Sequence, residues 1–299
     1  MLTIDPKTVS TAEFHGYLLG AVAPRPIAFA STVDKAGNVN LSPFSFFNAF
    51  SANPPVLIFS PARRVRDNTT KHTLDNVLEV PEVVINIVNY NMVQQMSLAS
   101  TEYDHGVNEF EKAGFHEIAS QKIKPPRVAE SPASFECKVN DVIALGNEGG
   151  AGNLIICEVV MAHFDDAIFD KTGKIHPANL DAVARMGGNW YSRANGDSLF
   201  EVPKPLTTKG IGVDSLPVEV RLSHVLSGND LGQLGNVERL PSQNEVEEFA
   251  SEPEVSAILE NFNDNSIEIE NELHKLAKNF LEEGEVEKAL KVLFQTQYM

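Results

Sequence analysis

Along residues 134–145 the chain alternates Phe135, Cys137 and Val139 with Glu136, Lys138 and Asn140. That period of two predicts a strand buried on one face. Residues 153–164 repeat the pattern and form its predicted partner across the glycine-rich stretch Gly146–Gly152. With the turn centred near Gly149, Cys137 is expected to face Met161, and Cys157 to face Asp141. Residues 26–33 and 39–47 read as strands flanking Asp34-Lys-Ala-Gly-Asn38, a hairpin signal with Gly37 free to take positive φ. Residues 55–60 and 82–88 read as further short strands. Between them a short helix is expected to start at Thr73 as its N-cap. Residues 91–100 and 108–113 read as helical. Many short strands with few helices point to a closed β-barrel with helical insertions.

The period changes in the last third. Val255, Ile258, Leu259 and Phe262 recur at helical spacing, as do Leu273, Leu276, Ala277, Phe280 and Leu281, and then Val286, Ala289, Leu290 and Leu293. Ser242-Gln-Asn-Glu245 and Ser251-Glu-Pro-Glu254 both match the Ser-x-x-Glu capping box. The last two periodic segments, parted by Gly284, loosely resemble one tetratricopeptide helix pair. A single such pair has no stacked neighbour, and an acidic helical cap is the simpler description. Charge changes with the period. Residues 205–299 hold 7 Lys and Arg against 18 Asp and Glu, a net of −11, which leaves −6 on residues 1–204 out of −17 overall. Pro203 and Pro205 mark the same divide, so the expected division is a β-rich domain at 1–204 and an acidic helical extension at 205–299. Regular helical period predicts that this extension is folded, not a disordered acidic tail.

Composition narrows the function. A chain of 299 residues with 42% hydrophobic content can bury a sizeable core. A net charge of −17 argues against nucleic-acid partners and against an anionic membrane surface. The segment Met1-Leu-Thr-Ile-Asp-Pro6 has no basic n-region and no apolar h-region, so no signal peptide is expected. No apolar stretch approaches the roughly 20 residues of a membrane span. Cys137 and Cys157 are the only cysteines and are read as buried free thiols of a reducing compartment, hence a cytoplasmic location.

Three clusters could carry chemistry. Arg63, Arg64, Arg66 and Lys71 gather positive charge in an acidic chain, with Asp67 the only acid among them, where a strand runs into a helix N-terminus. Free N–H groups and the macrodipole there favour an anion, although a solvated turn would show the same charges. In Ser42-Pro-Phe-Ser-Phe-Phe-Asn-Ala-Phe-Ser51, aromatics alternate with small polar residues. Phe44, Phe46 and Phe50 are expected on one face, with Ser45, Phe47 and Ser51 on the other. This fits either an aromatic core strand or a polar, ring-lined edge for a flat aromatic ligand. In Arg185-Met-Gly-Gly-Asn-Trp-Tyr191 paired glycines permit close backbone approach, and a tight turn anchored by an aromatic accounts for them. His163 is the best-placed single histidine, and no two histidines have zinc-ligand spacing. The glycines of 146–152 match neither the dinucleotide fingerprint nor the P-loop, and no Gly-x-Ser-x-Gly elbow is present.

Pro24-Arg-Pro-Ile-Ala-Phe-Ala-Ser-Thr32, Gly37-Asn-Val-Asn-Leu-Ser-Pro-Phe-Ser-Phe-Phe-Asn48 and Asn53-Pro-Pro55 together resemble the flavin reductase-like family of FMN-binding split barrels. Lys71-His-Thr73, Val83-Val-Ile-Asn86, Glu158-Val-Val-Met-Ala-His163 and Arg185–Tyr191 follow in that family's order, so the resemblance covers about residues 10–204. It implies a mainly β split barrel with helical insertions, a homodimer, and FMN held near the subunit interface. By position, Thr32, Ser45, Phe46, Phe47, Asn48 and Ser51 would line the flavin. Arg64, Lys71 and Thr73 would hold its phosphate, Arg185 and Tyr191 would close the site, and His163 would meet a nicotinamide nucleotide. The implied activity is hydride transfer from NADH or NADPH to FMN and on to an acceptor. No side-chain nucleophile is needed. The alternative is a flavin-binding electron carrier or interaction protein without NAD(P)H activity, with the extension offering a surface to a protein partner.

Overall fold

The alternating run forms one arm of a long hairpin, and the rest of a sheet is built outward from it. In a computed structural model, which describes residues 1–261 and 266–297, the chain divides into two units, Met1–Phe200 and Glu201–Met299. The first opens with a helix, α1 (Thr11–Ala21), followed by strands β1 (Ala28–Val33), β2 (Val39–Phe44), β3 (Phe47–Ala52) and β4 (Pro55–Phe59). Next come α2 (His72–Glu79), β5 (Glu82–Ile87), α3 (Val93–Leu98), α4 (Glu109–Ala113) and the short strands β6 (Glu117–Ile118) and β7 (Arg127–Val128). The long hairpin β8 (Ala133–Ala144) and β9 (Asn153–Phe164) precedes α5 (Pro177–Leu180) and the small pair β10 (Val183–Arg185) and β11 (Tyr191–Arg193).

Seven antiparallel strands pair in the order β2-β1-β5-β8-β9-β4-β3. Strands β2 and β3, neighbours in sequence, are the two free edges, so hydrogen bonding does not close the barrel that the strand pattern suggests. The result is a split barrel. Its interior holds Ala28, Ala30, Phe44, Phe59, Ile85, Cys137, Ile155 and Cys157 in one buried cluster, and Phe44 meets Phe59 at 5.4 Å between ring centroids. The outer face of the sheet packs Phe29 and Leu41 with Met92, Met96, Phe110 and Phe115 in a second cluster. Strand β1 feeds both clusters and is buried along its whole length. That explains its apolar and small composition, Ala-Phe-Ala-Ser-Thr-Val.

Three local expectations change. Irregularities between Glu136 and Cys137 and between Val139 and Asp141 shift the hairpin register, so Cys137 opposes Val159 and Cys157 opposes Val139. Both thiols are free, and burial pushes the Cys157 thiol up to about 12 and Cys137 further the same way, which leaves them unreactive. The run expected as one strand to residue 47 breaks at Ser45 and Phe46. Phe44 turns into the barrel while Phe46 and Phe50 are exposed, so the three do not share a face. Thr73 does not cap α2. Lys71 holds the N-cap position without a side-chain bond, and Thr73 lies buried in the first turn, accepting from Asn40 Nδ2 at 2.9 Å.

The second unit contains α6 (Val218–Arg221), α7 (Gly228–Gly235), α8 (Gln243–Phe249), α9 (Pro253–Asn261), α10 (Ser266–Glu282) and α11 (Val286–Leu293). Leu234, Val246, Val255, Leu273, Ala277, Leu281, Ala289, Leu290 and Leu293 are buried together as its core. Phe262 lies outside the described residues. The capping box of Ser242 and Glu245 forms, and a second one, Ser227 with Asp230, starts α7. Ser251 does not make the box that its spacing predicts, because its hydroxyl donates back to Glu248 O. Gly284, at φ +79, separates α10 from α11 in a conformation that favours glycine.

Candidate functional site

A cavity of about 620 Å³ opens where β2, α3 and the β10–β11 pair converge. Its size lies within the ~300–1,000 Å³ usual for small-ligand pockets. Apolar walls come from Ile27, Phe44, Val93, Met96 and Val183, and polar groups from Ser45, Gln94, Ser97, Ser100 and Ser192. Two arginine–tyrosine stacks line it: Arg185 lies 4.7 Å over the Tyr191 ring and Arg193 lies 3.8 Å over the Tyr90 ring. Asp181 holds Arg193 through two bonds of 2.7 Å. Ser100 also lines a smaller pocket with Arg64, Lys71, Thr73, Glu102 and Tyr103, so the two spaces adjoin.

The smaller pocket sits at the N-terminus of α2, where no side chain caps the helix. Its cationic rim has a local scaffold. Arg63 N donates to Ala151 O at 2.8 Å and Gly150 N to Arg63 O at 2.9 Å, which bolts the rim onto the β8–β9 turn. A Cβ on Gly149 would fall 3.0 Å from Val65 O and 3.1 Å from Arg64 O, so a larger residue would force the backbone of this approach to give by a few tenths of an ångström. Arg64 donates through Nη1 to Thr69 Oγ1 at 2.8 Å and to Thr70 O. The stretch that sequence presents as a loose glycine turn is thus a support for Arg64.

Charge at this rim is not isolated. Glu102, from the segment joining α3 to α4, accepts from Arg64 Nε at 2.8 Å, Arg66 Nη2 at 2.6 Å and Lys71 Nζ at 3.3 Å. The Arg64 bond, chiefly, lowers its carboxyl to about 2. Glu109, in the same pocket, is buried and accepts from Leu41 N at 2.8 Å, and burial raises its pKa.

Arg25 is a further residue that sequence reading passed over. Its buried guanidinium donates to Leu19 O at 2.6 Å, Val22 O, Met186 O at 2.9 Å and Ser45 Oγ at 3.4 Å. Backbone bonds Arg25 N to Arg185 O and Arg185 N to Arg25 O complete the joint. One side chain so ties the end of α1, the β2–β3 turn and the β10–β11 turn to a single point beside the cavity. Burial and Arg185 pull its pKa below the usual arginine value, though an arginine remains charged. Because Ser45 Oγ accepts from Arg25, its own hydroxyl hydrogen is left to donate elsewhere.

The sequence-expected residues divide among these places. Ser45, Arg185 and Tyr191 line the large cavity. Arg64, Lys71 and Thr73 line the adjoining pocket. Thr32 lies apart from both, fully buried, accepting from Asn76 Nδ2 at 3.1 Å. Phe47 packs on the barrel interior, while Phe46, Asn48 and Ser51 are exposed on the free edge of the sheet. His163 lines neither space. Its Nε2 is 2.7 Å from Oε1 of Glu136, which is fully buried. Burial acts against that carboxylate's charge, but donors from Gln121 N, His163 and Lys122 N outweigh it and hold the carboxyl below its usual range. Among the described residues no group of His, Cys, Asp and Glu could hold a metal ion, and no helix is long and apolar enough to cross a membrane.

The family described as the flavin reductase like domain matches residues 20–178. An uncharacterized protein of Aquifex aeolicus strain VF5 is 37% identical over 196 residues, which covers 66% of this chain and 97% of that protein. Nitrilotriacetate monooxygenase component B from Bacillus cereus superposes with a TM-score of 0.63 at 31% identity, covering 68% of this chain and 98% of its own. A split-barrel chain from Shewanella frigidimarina NCIMB 400 gives a TM-score of 0.57 at 25% identity, covering 68% and 100%. The chain belongs to the flavin reductase-like family, and its first unit has that family's split-barrel fold. Membership supports a flavin-related oxidoreductase activity. The second unit, from Glu201, lies outside the family match.

Proposed function

We propose that the protein is an FMN-dependent oxidoreductase that moves hydride from NADH or NADPH to the flavin and on to an acceptor. The observation that carries this reading is the junction at Ser100 of an aromatic-lined cavity of about 620 Å³ with an arginine–lysine cradle at an uncapped helix N-terminus. A ring system fits the first and a single phosphate the second. One phosphate-sized cradle and no dinucleotide fingerprint favour FMN over FAD. Bound FMN supplies the hydride-transferring centre. Arg64 and Lys71 would anchor the phosphate, with Thr73 and the α2 N-terminus behind them. Ser45, charged from behind by Arg25, would donate to an acceptor atom of the ring, and such donors favour negative charge developing there. Tyr191, under Arg185, would cover the ring, whereas His163, tied to Glu136, lines neither space. Free buried thiols fit a reducing compartment, and this reading places the enzyme in the cytoplasm.

We also infer that two copies pair through the exposed face beside the site. Helix α1 buries none of its residues, and His15 meets Phe46 at 6.2 Å. Phe50 is 63% exposed and Trp190 is 78% exposed. Large exposed aromatics on the free edge strand and the β10–β11 turn would suit such an interface if they form one patch. A monomer by light scattering would count against the pairing.

Purified protein is expected to take up FMN and retain it through desalting, and anaerobic stopped-flow mixing with NADH or NADPH is expected to bleach the flavin band. A spectrum without flavin after FMN addition removes the reading altogether. Bound flavin that neither nucleotide reduces favours a second one, an electron carrier or interaction protein. The observation behind that second reading is the separately cored acidic unit, which would offer a surface to a protein partner.

A further inference from the structure

The donors that would hold a phosphate already hold a carboxylate. Oε1 of Glu102 takes both Arg64 Nε, at 2.8 Å, and Lys71 Nζ, at 3.3 Å, while Oε2 takes Arg66 Nη2 at 2.6 Å. Arg63 does not line this pocket, and its Nε and Nη2 donate to Asn68 Oδ1 and O, each at 2.6 Å. Asp67 takes Arg66 Nε at 2.9 Å. Within this ion-paired network three cations, Arg64, Arg66 and Lys71, meet two carboxylates, Glu102 and Asp67, which leaves the network one net positive charge. A phosphate monoester carries about −1.5 to −2 at neutral pH, so adding it beside Glu102 would make the cradle net negative.

Geometry gives the conflict a way out. Glu102 belongs to the connection between α3 and α4, and its side chain is 36% exposed. It can swing into water, and because exposed ion pairs are weak singly but add in a network, its three bonds together are what an entering phosphate must displace. Arg64, by contrast, is held through Thr69 Oγ1 and Thr70 O and stays in place. Arg64 is the fixed member and Glu102 the movable one.

We propose that Glu102 is an internal competitor for the cofactor's phosphate. A phosphorylated flavin enters the cradle only as the Glu102 carboxylate leaves Arg64 and Lys71. A flavin without phosphate has no need to displace it. The residue thereby weakens the cofactor's anchor and eases its departure, which suits a flavin that exchanges with solution better than one held permanently. This inference rests on the proposed FMN reading and on the cradle as the phosphate site.

The test compares FMN with riboflavin, by quenching of flavin fluorescence, on the full-length wild-type chain, Glu102→Gln, and the double variant Arg64→Met with Lys71→Met. Glu102→Gln keeps the shape and removes the charge. It is expected to tighten FMN about tenfold, as befits losing one charged rival for charge-assisted bonds, and to leave riboflavin unchanged. Inorganic phosphate is expected to displace FMN from Glu102→Gln at lower concentration than from wild type. Unchanged or weaker FMN binding by Glu102→Gln, while the double variant loses FMN and keeps riboflavin, would overturn the competitor and leave the cradle standing. Equal tightening of riboflavin would overturn it too, because the effect would then not involve phosphate. A double variant with the wild-type preference for FMN over riboflavin would remove both the cradle and the competitor.

Discussion

The two units are folded by the same chain but specified at different ranges. In the helical unit the elements themselves are specified locally, even though their packing joins distant residues. Ser242 caps with Glu245 three positions on, Gly284 ends one helix and releases the next, and the apolar residues recur every three or four. In the barrel the decisive contacts join residues far apart in sequence. Glu102 meets Lys71 across 31 positions, Arg25 meets Met186 across 161, and Glu136 meets His163 across 27. A helical bundle can therefore be read from period and caps, whereas a site assembled on a barrel depends on closures that no window of sequence displays. The barrel carries the cavity and the cationic rim described above, and the helical unit carries a self-contained core.

The largest effects come from breaking each core separately. Phe59 is fully buried in the barrel interior and Leu273 is fully buried in the helical core. Phe59→Ala is expected to cost the barrel about 3–5 kcal/mol and Leu273→Ala about 2–5 kcal/mol in the helical unit, the ranges typical of such truncations. If the two cores are as independent as their separate clusters indicate, calorimetry will show two transitions, each moved by only one of the substitutions. A single transition lowered equally by both would break the comparison and join the units into one cooperative fold.

The same contrast explains what could be read in advance. The β8–β9 hairpin and the helical caps at 242 and 284 were visible because they obey period and turn chemistry. The cationic rim is visible as composition, yet its net charge is not, since Glu102 sits beyond α2, β5 and α3. Cys137 and Cys157 were placed two positions out because bulges leave no compositional mark. Arg25 lies inside the Pro24–Thr32 stretch that carries the family resemblance. A buried arginine looks in sequence like any surface arginine, and only its acceptors, Leu19 O, Val22 O and Met186 O, reveal its task. Tyr90 and Arg193 likewise become a stacked pair only once α3 and β11 converge on one cavity.

The smallest effect sharpens the comparison through pH. In the helical unit His274 is buried, its Nδ1 2.8 Å from Ser223 Oγ. That hydroxyl oxygen already accepts from Val225 N and Leu226 N, each at 3.1 Å, so its hydrogen goes to His274 and the imidazole is neutral. Burial lowers the His274 pKa below its usual 6.5, with Glu270 and Glu219 opposing more weakly. A depressed pKa means that the unfolded chain binds the proton more readily. The stability is therefore full above pH 6.5 and is lost as pH falls through the folded-state value. In the barrel, His72 is lowered for similar reasons, by burial first and by His105 and Arg64 next, so pH alone moves both units in the same direction. The discriminating variant is His274→Gln, which cannot take the proton. Between pH 7.5 and 5.5, roughly the range over which an ordinary histidine titrates, wild type is expected to lose a few degrees from the helical transition. His274→Gln is expected to flatten that loss while the barrel transition keeps its slope. An unaltered slope in the helical transition would mean that the buried histidine is not the group that senses the proton.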